Sequence, residues 1–227
     1  MKNPFGSIEP QKLVKKIERG EPMPQLQMLS KDKTTIWAWL VRKGIDNALS
    51  GLSQMVGREL RVTSLALKQM PAKDAVMLLG GPETLVVGTY LTIDGDATGH
   101  LMLIHDPKIA FELIDIQMDL APGSTQSLEQ EMERSVMGEM GNITGSFFLN
   151  ALADATNLTL TTSPPAVMID MAGAIMDIAL SKIMQEQDDV LTVKTTFSTD
   201  NRQMNGTFLV MPTLDFLKVI LKHAGAV

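Results

Sequence analysis

Apolar residues recur every three or four positions over residues 32–56, where Ile36, Trp37, Leu40, Val41, Ile45, Leu49, Leu52 and Met55 share one side of a helix. Gly57 supplies a stop. The rhythm then changes. Residues 60–67 alternate in part, 75–80 form a short apolar run, and 84–93 are long and β-branched, so three strands are predicted. Asp94-Gly95 marks a tight turn, with 99–105 as the hairpin partner. A helix follows over 106–118, with Asp106 as its N-cap and Pro107 in its first turn. Ahead of all this, Pro4, Gly6, Pro10, Gly20, Pro22 and Pro24 punctuate residues 1–30. That segment reads as a lead-in with one short amphipathic helix around Leu13, Val14 and Ile17.

After a linker at 121–126 the order repeats. A long helix is predicted over 127–156, strands over 158–163 and 166–170, and a helix over 171–187. A second hairpin, 190–199 with 206–212 across the polar turn DNRQMN, leads into a closing helix at 213–223. An offset of 100 aligns the long helices, pairing Leu52 with Leu152, Gly57 with Asn157 and Leu60 with Leu160. The hairpin ends GHLMLIHDPKIAFEL and GTFLVMPTLDFLKVI align as well. The expectation is an α/β (α+β) domain over 31–227 made of two half-repeats, about 31–120 and 125–227. Pseudo-two-fold symmetry would join two antiparallel half-sheets edge to edge into one continuous sheet, with the long helices packed on a face.

Composition narrows the chemistry. The chain has 227 residues, 44% of them hydrophobic, enough for a sizeable core. A net charge of −6 argues against non-specific nucleic-acid binding and against attraction to anionic membranes. Without cysteine there is no thiolate nucleophile and no cysteine metal site. His100, His105 and His223 are scattered and read as ordinary core or surface histidines. No apolar run is long enough to span a bilayer, and the first residues lack a secretory pattern, so a soluble, cytoplasmic protein is expected. Methionine is abundant at 17, which reads mainly as an adaptable core. Neither a phosphate-binding glycine loop nor a dinucleotide fingerprint is present, and Gly80-Gly81-Pro82 reads as a turn.

The second long helix holds the candidate chemistry. On a helical wheel Val136, Met140, Ile143, Phe147 and Ala151 fall on one face, and Ser135, Glu139, Asn142 and Ser146 on another. A polar stripe is ordinarily the solvated side of an amphipathic helix. Asn142, Gly141 and Gly145 are poor helix formers in mid-helix, however, and point to something other than helix stability. The glycines flank the stripe and read as exposed backbone that would allow close partner approach.

The run SVMGEMGNITGSFFLNAL resembles the signature helix of the CheC/CheX/FliY phosphatase family: Asp or Ser, three residues, Glu, two residues, Asn, twenty-two residues, Pro. Ser135, Glu139, Asn142 and Pro165 fill all four positions. The resemblance covers roughly residues 34–223 and implies a CheC-like fold. It also implies hydrolysis of an aspartyl phosphate on a CheY-type receiver, with Glu139 docking the receiver and Asn142 positioning water. Ser135, Ser146 and Pro165 stand as partner-binding or shaping positions. It implies no cofactor of the chain's own, since Mg²⁺ would come with the receiver, and it leaves a CheD-like protein and a second copy of the chain as further candidate partners. The alternative reading is a non-catalytic docking module for a receiver, a flagellar switch component or a CheD-like deamidase. At the offset of 100 the first helix carries Thr35, Trp39 and Arg42, with Leu65 beyond it, so the first half reads as a scaffold copy without the catalytic pair. Asp46 and Asn47 are adjacent and cannot reproduce it. Trp39 is expected in the core, with an interface anchor as the second reading.

Overall fold

The computed structural model describes residues 31–185, 188–199 and 206–224. The lead-in at 1–30, with its expected short helix, and the DNRQMN turn lie outside the described residues. The elements run α1 (Lys31–Val56), β1 (Leu60–Pro71), a 3-10 helix η1 (Ala72–Leu79), β2 (Leu85–Gly95), β3 (Gly99–His105) and α2 (Pro107–Gln117). The second half runs α3 (Glu131–Thr156), β4 (Leu160–Thr162), β5 (Ala166–Met171), α4 (Ala172–Ile183), β6 (Asp189–Thr199), β7 (Gly206–Pro212) and α5 (Leu214–Ala224). All strands pair antiparallel in one sheet of order β1-β6-β7-β3-β2-β4, with β5 continuing beside β2 past β4. The predicted antiparallel sheet with long helices packed on it is therefore present.

The central strands are apolar on both faces because both faces are covered. In β3, Leu101 and Leu103 face a core shared with α1, α2, α3 and α5, while Met102 and Ile104 face a second core beneath η1 and α4. Met102, Met137, Met140, Met176 and Met211 are buried in these cores. The run 75–80, expected as a strand, is instead the end of η1. Ala72, Ala75 and Leu78 recur every three residues and bury one side of a 3-10 turn, and a short apolar run cannot distinguish that from a buried strand. Asp106 caps α2 as expected, accepting from the Lys108 backbone N–H at 2.9 Å.

The pseudo-two-fold axis can be traced through the pairings. It passes between β3 and β7, whose register runs from Gly99↔Pro212 to His105↔Gly206 around the central pair Met102↔Leu209. It also passes between α1 and α3, where Asn47 Nδ2 donates to the Phe147 carbonyl at 2.6 Å, an offset of 100. The outer strands agree. β1 on β6 runs from Leu60↔Thr199 to Pro71↔Asp189, and β4 with β5 on β2 runs from Gly95↔Leu160 to Leu85↔Met171. Where β1 carries a bulge between Val62 and Ser64, its counterpart breaks into β4 and β5 around Ser163-Pro164-Pro165. Even the local bonding is echoed: Thr63 Oγ1 meets Thr196 Oγ1 at 3.0 Å, and Ser163 Oγ accepts from the Thr92 N–H at 3.0 Å. The helices meet closely because Gly44 lies against Phe148 and Leu152, and Gly51 against Phe147.

Candidate functional site

The helix α3 is pinned before it reaches the polar stripe. Glu133 reaches back to the Gln130 N–H at 3.4 Å, and Arg134 Nε donates to the Leu128 carbonyl at 2.6 Å. The helix begins at Glu131, four residues later than the sequence pattern predicts. At its far end Asn157 adopts a left-handed conformation (φ 55°) and donates to the Ala153 carbonyl at 2.7 Å.

One expectation about this helix needs correction. Gly141 and Gly145 do not flank the stripe as exposed backbone; both are buried, and with Gly138 they face the sheet. A Cβ on Gly141 would stand 2.3 Å from Thr89 Cγ2, and one on Gly145 would stand 3.1 Å from Thr162 Cγ2. The glycines let α3 approach β2 closely, and Thr89 Oγ1 bonds to the Met137 carbonyl at 3.2 Å across that contact. At the equivalent positions α1 carries Ala38, Val41 and Ile45, so only the second half uses a glycine face. The side chains that fill the core therefore include Met137, Thr144, Phe148 and Leu152. The face carrying Val136, Ile143, Phe147 and Ala151 is half-buried, with Phe147 against α1.

With its glycine face fixed to the sheet, α3 turns Ser135, Glu139, Asn142 and Ser146 outward. Ser135 and Glu139 are exposed, and Asn142 and Ser146 are half-buried. Ser135 Oγ donates to the Glu131 carbonyl at 2.8 Å, which leaves its lone pairs free. The described residues include no hydrogen-bonding or ionic partner for the Glu139 or Asn142 side chain. One helical turn thus presents a carboxylate and an amide, about 4.5 Å apart along the axis, on the outer face of α3. Pro165 lies beside them. Its Cγ is 3.3 Å from where a Cβ on Gly138 would stand, so the β4–β5 break abuts the turn that carries Glu139. Proline has no N–H for the ladder, which suits that break. The involvement of Gly138 and Thr89 was not read from sequence; the glycine spacing 138, 141, 145 was the available signal.

The first half lacks this arrangement. Trp39, expected in the core, is 38% exposed, because the buried side of α1 runs through Trp37, Leu40 and Val41. Lys43 Nζ sits 4.4 Å from the Trp39 ring centroid. Arg42 Nε donates to Asp46 Oδ2 at 2.7 Å, and Leu65 is buried. Among the described residues no group of three His, Asp or Glu side chains is placed to hold a metal ion, and no helix is long and apolar enough to cross a membrane.

The model of the CheC-like family matches residues 132–169, a span that holds Ser135, Glu139, Asn142 and Pro165. Over those residues the chain is similar to the CheC-like family. A curated relative, the CheY-P phosphatase CheC of Bacillus subtilis (strain 168), is 26% identical over 186 residues, covering 81% of this chain and 89% of its own. Among solved structures, Thermotoga maritima FliY superposes with a TM-score of 0.69 at 16% identity, covering 87% of this chain and 98% of that one. A chain of the CheX–CheY–BeF3–Mg²⁺ complex from Borrelia burgdorferi matches with a TM-score of 0.55 at 17% identity, covering 77% of this chain and 97% of that one. These structural likenesses establish the CheC/CheX/FliY fold, and the family match falls on α3, β4, the break after it and most of β5.

Proposed function

We propose that this protein hydrolyses the aspartyl phosphate of a phosphorylated CheY-type receiver, with Asn142 positioning the attacking water and Glu139 docking the receiver. The observation that carries this reading is the pair itself: an amide and a carboxylate without partners among the described residues, on the outer face of a helix braced against the sheet. Groups on an outer helix face suit entry into another protein's cleft. The similarity to a CheY-P phosphatase supports a CheY-type receiver as that other protein.

An aspartyl phosphate is already an activated acyl phosphate. Its hydrolysis needs a water aligned with the departing carboxylate, and in phosphoryl transfer proteins contribute mainly position and charge stabilisation. The Asn142 amide can accept from a water and donate to a phosphoryl oxygen at once. The Glu139 carboxylate, nearly one turn earlier, can pair with a lysine of the receiver and fix the register in which Asn142 enters. It need not take a proton. Mg²⁺ would travel with the receiver and neutralise phosphoryl charge there. Pro165 and Gly138 act by holding the turn that carries Glu139, and Ser135 and Ser146 border the contact.

Steady-state dephosphorylation across a range of receiver concentrations separates the roles. Asn142→Ala lowers kcat by about 10²–10³-fold, the usual cost of losing one orienting group, with receiver affinity retained. Glu139→Ala raises KM about tenfold or more, the cost of a charge-assisted contact. Receiver binding by wild type without any acceleration of phosphate loss would replace this reading with the non-catalytic docking module.

A further inference from the structure

On the sheet face opposite α3, a small cavity of about 250 Å³ opens between the β2–β3 turn, the end of α4 and the start of α5. Thr92, Asp94, Thr98, His100, Lys182 and Thr213 are among the residues that line it. His100 forms part of its wall and is only 5% exposed. Its Nδ1 meets the Tyr90 hydroxyl at 2.8 Å, and among the described residues that hydroxyl has no other partner. The hydroxyl proton therefore goes to Nδ1, and a neutral imidazole then carries its own proton on Nε2. Burial first, and the neighbouring Lys182 ammonium second, push the His100 pKa down to about 4, so the ring is neutral at pH 7. Nε2 has no hydrogen-bond partner among the described residues and is not shut away in the core, so its N–H opens into the cavity.

Charges of both signs surround that donor. The Lys182 ammonium makes no ion pair or hydrogen bond among the described residues. Burial raises the Tyr90 pKa, and the nearby Asp94 carboxylate raises it further, which places Asp94 close to the Tyr90–His100 pair. Asp94 Oδ2 accepts from Thr92 Oγ1 at 3.1 Å, and Oδ1 has no partner among the described residues. The other half-repeat supplies the contrast. At the offset of 100 Asp94 corresponds to Lys194, and aligning GHLMLIH with GTFLVMP puts Thr207 in the place of His100. Both line the corresponding cavity, but there Lys194 Nζ donates to the Leu78 carbonyl of η1. One cavity thus satisfies its own cation, while the other leaves a cation, a carboxylate oxygen and an imidazole N–H open.

We propose that the His100 cavity binds a small zwitterion of the α-amino acid class, its carboxylate held by Lys182 and the His100 Nε2–H and its ammonium by Asp94. A simple anion would face Asp94 and a simple cation would face Lys182, whereas a ligand carrying both charges satisfies each with a charge-assisted hydrogen bond. The cavity is smaller than those that take drug-sized ligands, which suits a molecule of this size. The inference stands apart from the phosphatase reading, because this cavity and Asn142 lie on opposite faces of the sheet.

The test follows the His100 ring nitrogens by ¹⁵N NMR while the full chain is titrated with L-alanine, L-serine and L-leucine, and with acetate and ethylamine as single-charge controls. At least one amino acid is expected to shift the Nε2 resonance saturably, with a Kd of about 1 mM or tighter. Lys182→Ala and Asp94→Asn, both changes of exposed side chains, are each expected to weaken that binding by about tenfold or more, and acetate and ethylamine to bind more weakly than the amino acid by about the same factor. No saturable shift with any of the three amino acids at millimolar concentrations overturns the site. Acetate or ethylamine binding as tightly as the amino acid overturns the zwitterion assignment, and undiminished binding by both variants places the amino acid elsewhere and overturns the proposal too.

Discussion

At the scale of single residues, Ser135 is bonded to the helix backbone and Arg134 to the Leu128 carbonyl, whereas the Glu139 and Asn142 side chains have no such partner among the described residues. Removing their heads therefore costs the fold little: Asn142→Ala should leave stability within about 0.5 kcal/mol of wild type by chemical denaturation, as surface changes do. A loss of several kcal/mol would assign Asn142 a structural role instead. The exposure of Glu139 was legible from helical periodicity, while the choice of Glu139, Asn142 and Pro165 as a site came from the resemblance to the family signature. The fate of Trp39 was not legible. Trp37 and Trp39 differ by two positions on one helix, so one is buried and the other faces water, and an alternation of bulky residues does not say which.

The elements show where periodicity stops being informative. Gly138, Gly141 and Gly145 give the same sequence signal whether a helix bares its backbone to a partner or presses it on a sheet. Only Thr89 and Thr162 across the contact decide between them. Gly141→Val tests this packing. Its Cβ meets the Thr89 methyl inside van der Waals distance, and overpacking of that kind costs about 1–3 kcal/mol, only partly offset by better helix propensity. The melting temperature should drop by on the order of 5 °C, and phosphate release should fall as α3 lifts off β2. An unchanged melting temperature would show that the contact is loose. The run at 75–80 failed as a strand for a related reason. Ala72, Ala75 and Leu78 bury a 3-10 face whose spacing of three cannot be separated from a short apolar strand without its neighbours in space.

Across the whole molecule, duplication was the most legible property, since one offset of 100 anticipates the Asn47–Phe147 contact on the axis. What the sequence left open was the second layer, η1 and α4 on the far face of the sheet, which buries Tyr90 and His100. His100 Nδ1 meets the Tyr90 hydroxyl at 2.8 Å. Burial, with Lys182 as a lesser cause, pushes its imidazole from 6.5 down to about 4. The folded state therefore keeps His100 neutral while the unfolded chain takes up a proton, so stability is lost as pH falls from 6.5 towards 4. Asp115 extends the loss further into acid. Burial raises its carboxyl, but donors from Thr125, Gly123 and Ser124 outweigh this and hold it below the usual range. That contribution is present above the unfolded value and disappears as pH drops through the folded one. Denaturation midpoints at pH 7, 5.5 and 4.5 should fall in that order, and His100→Phe should flatten the profile; a flat wild-type profile contradicts the assignment.

On the proposed reading α3 presents one amide to another protein's phosphate, and the most direct measurement is single-turnover decay of a phosphorylated CheY-type receiver. With Mg²⁺ present and this protein in excess, wild type should accelerate decay, and Asn142→Ala should bind the receiver while restoring decay to nearly its intrinsic rate. Equal acceleration by wild type and Asn142→Ala would contradict the account.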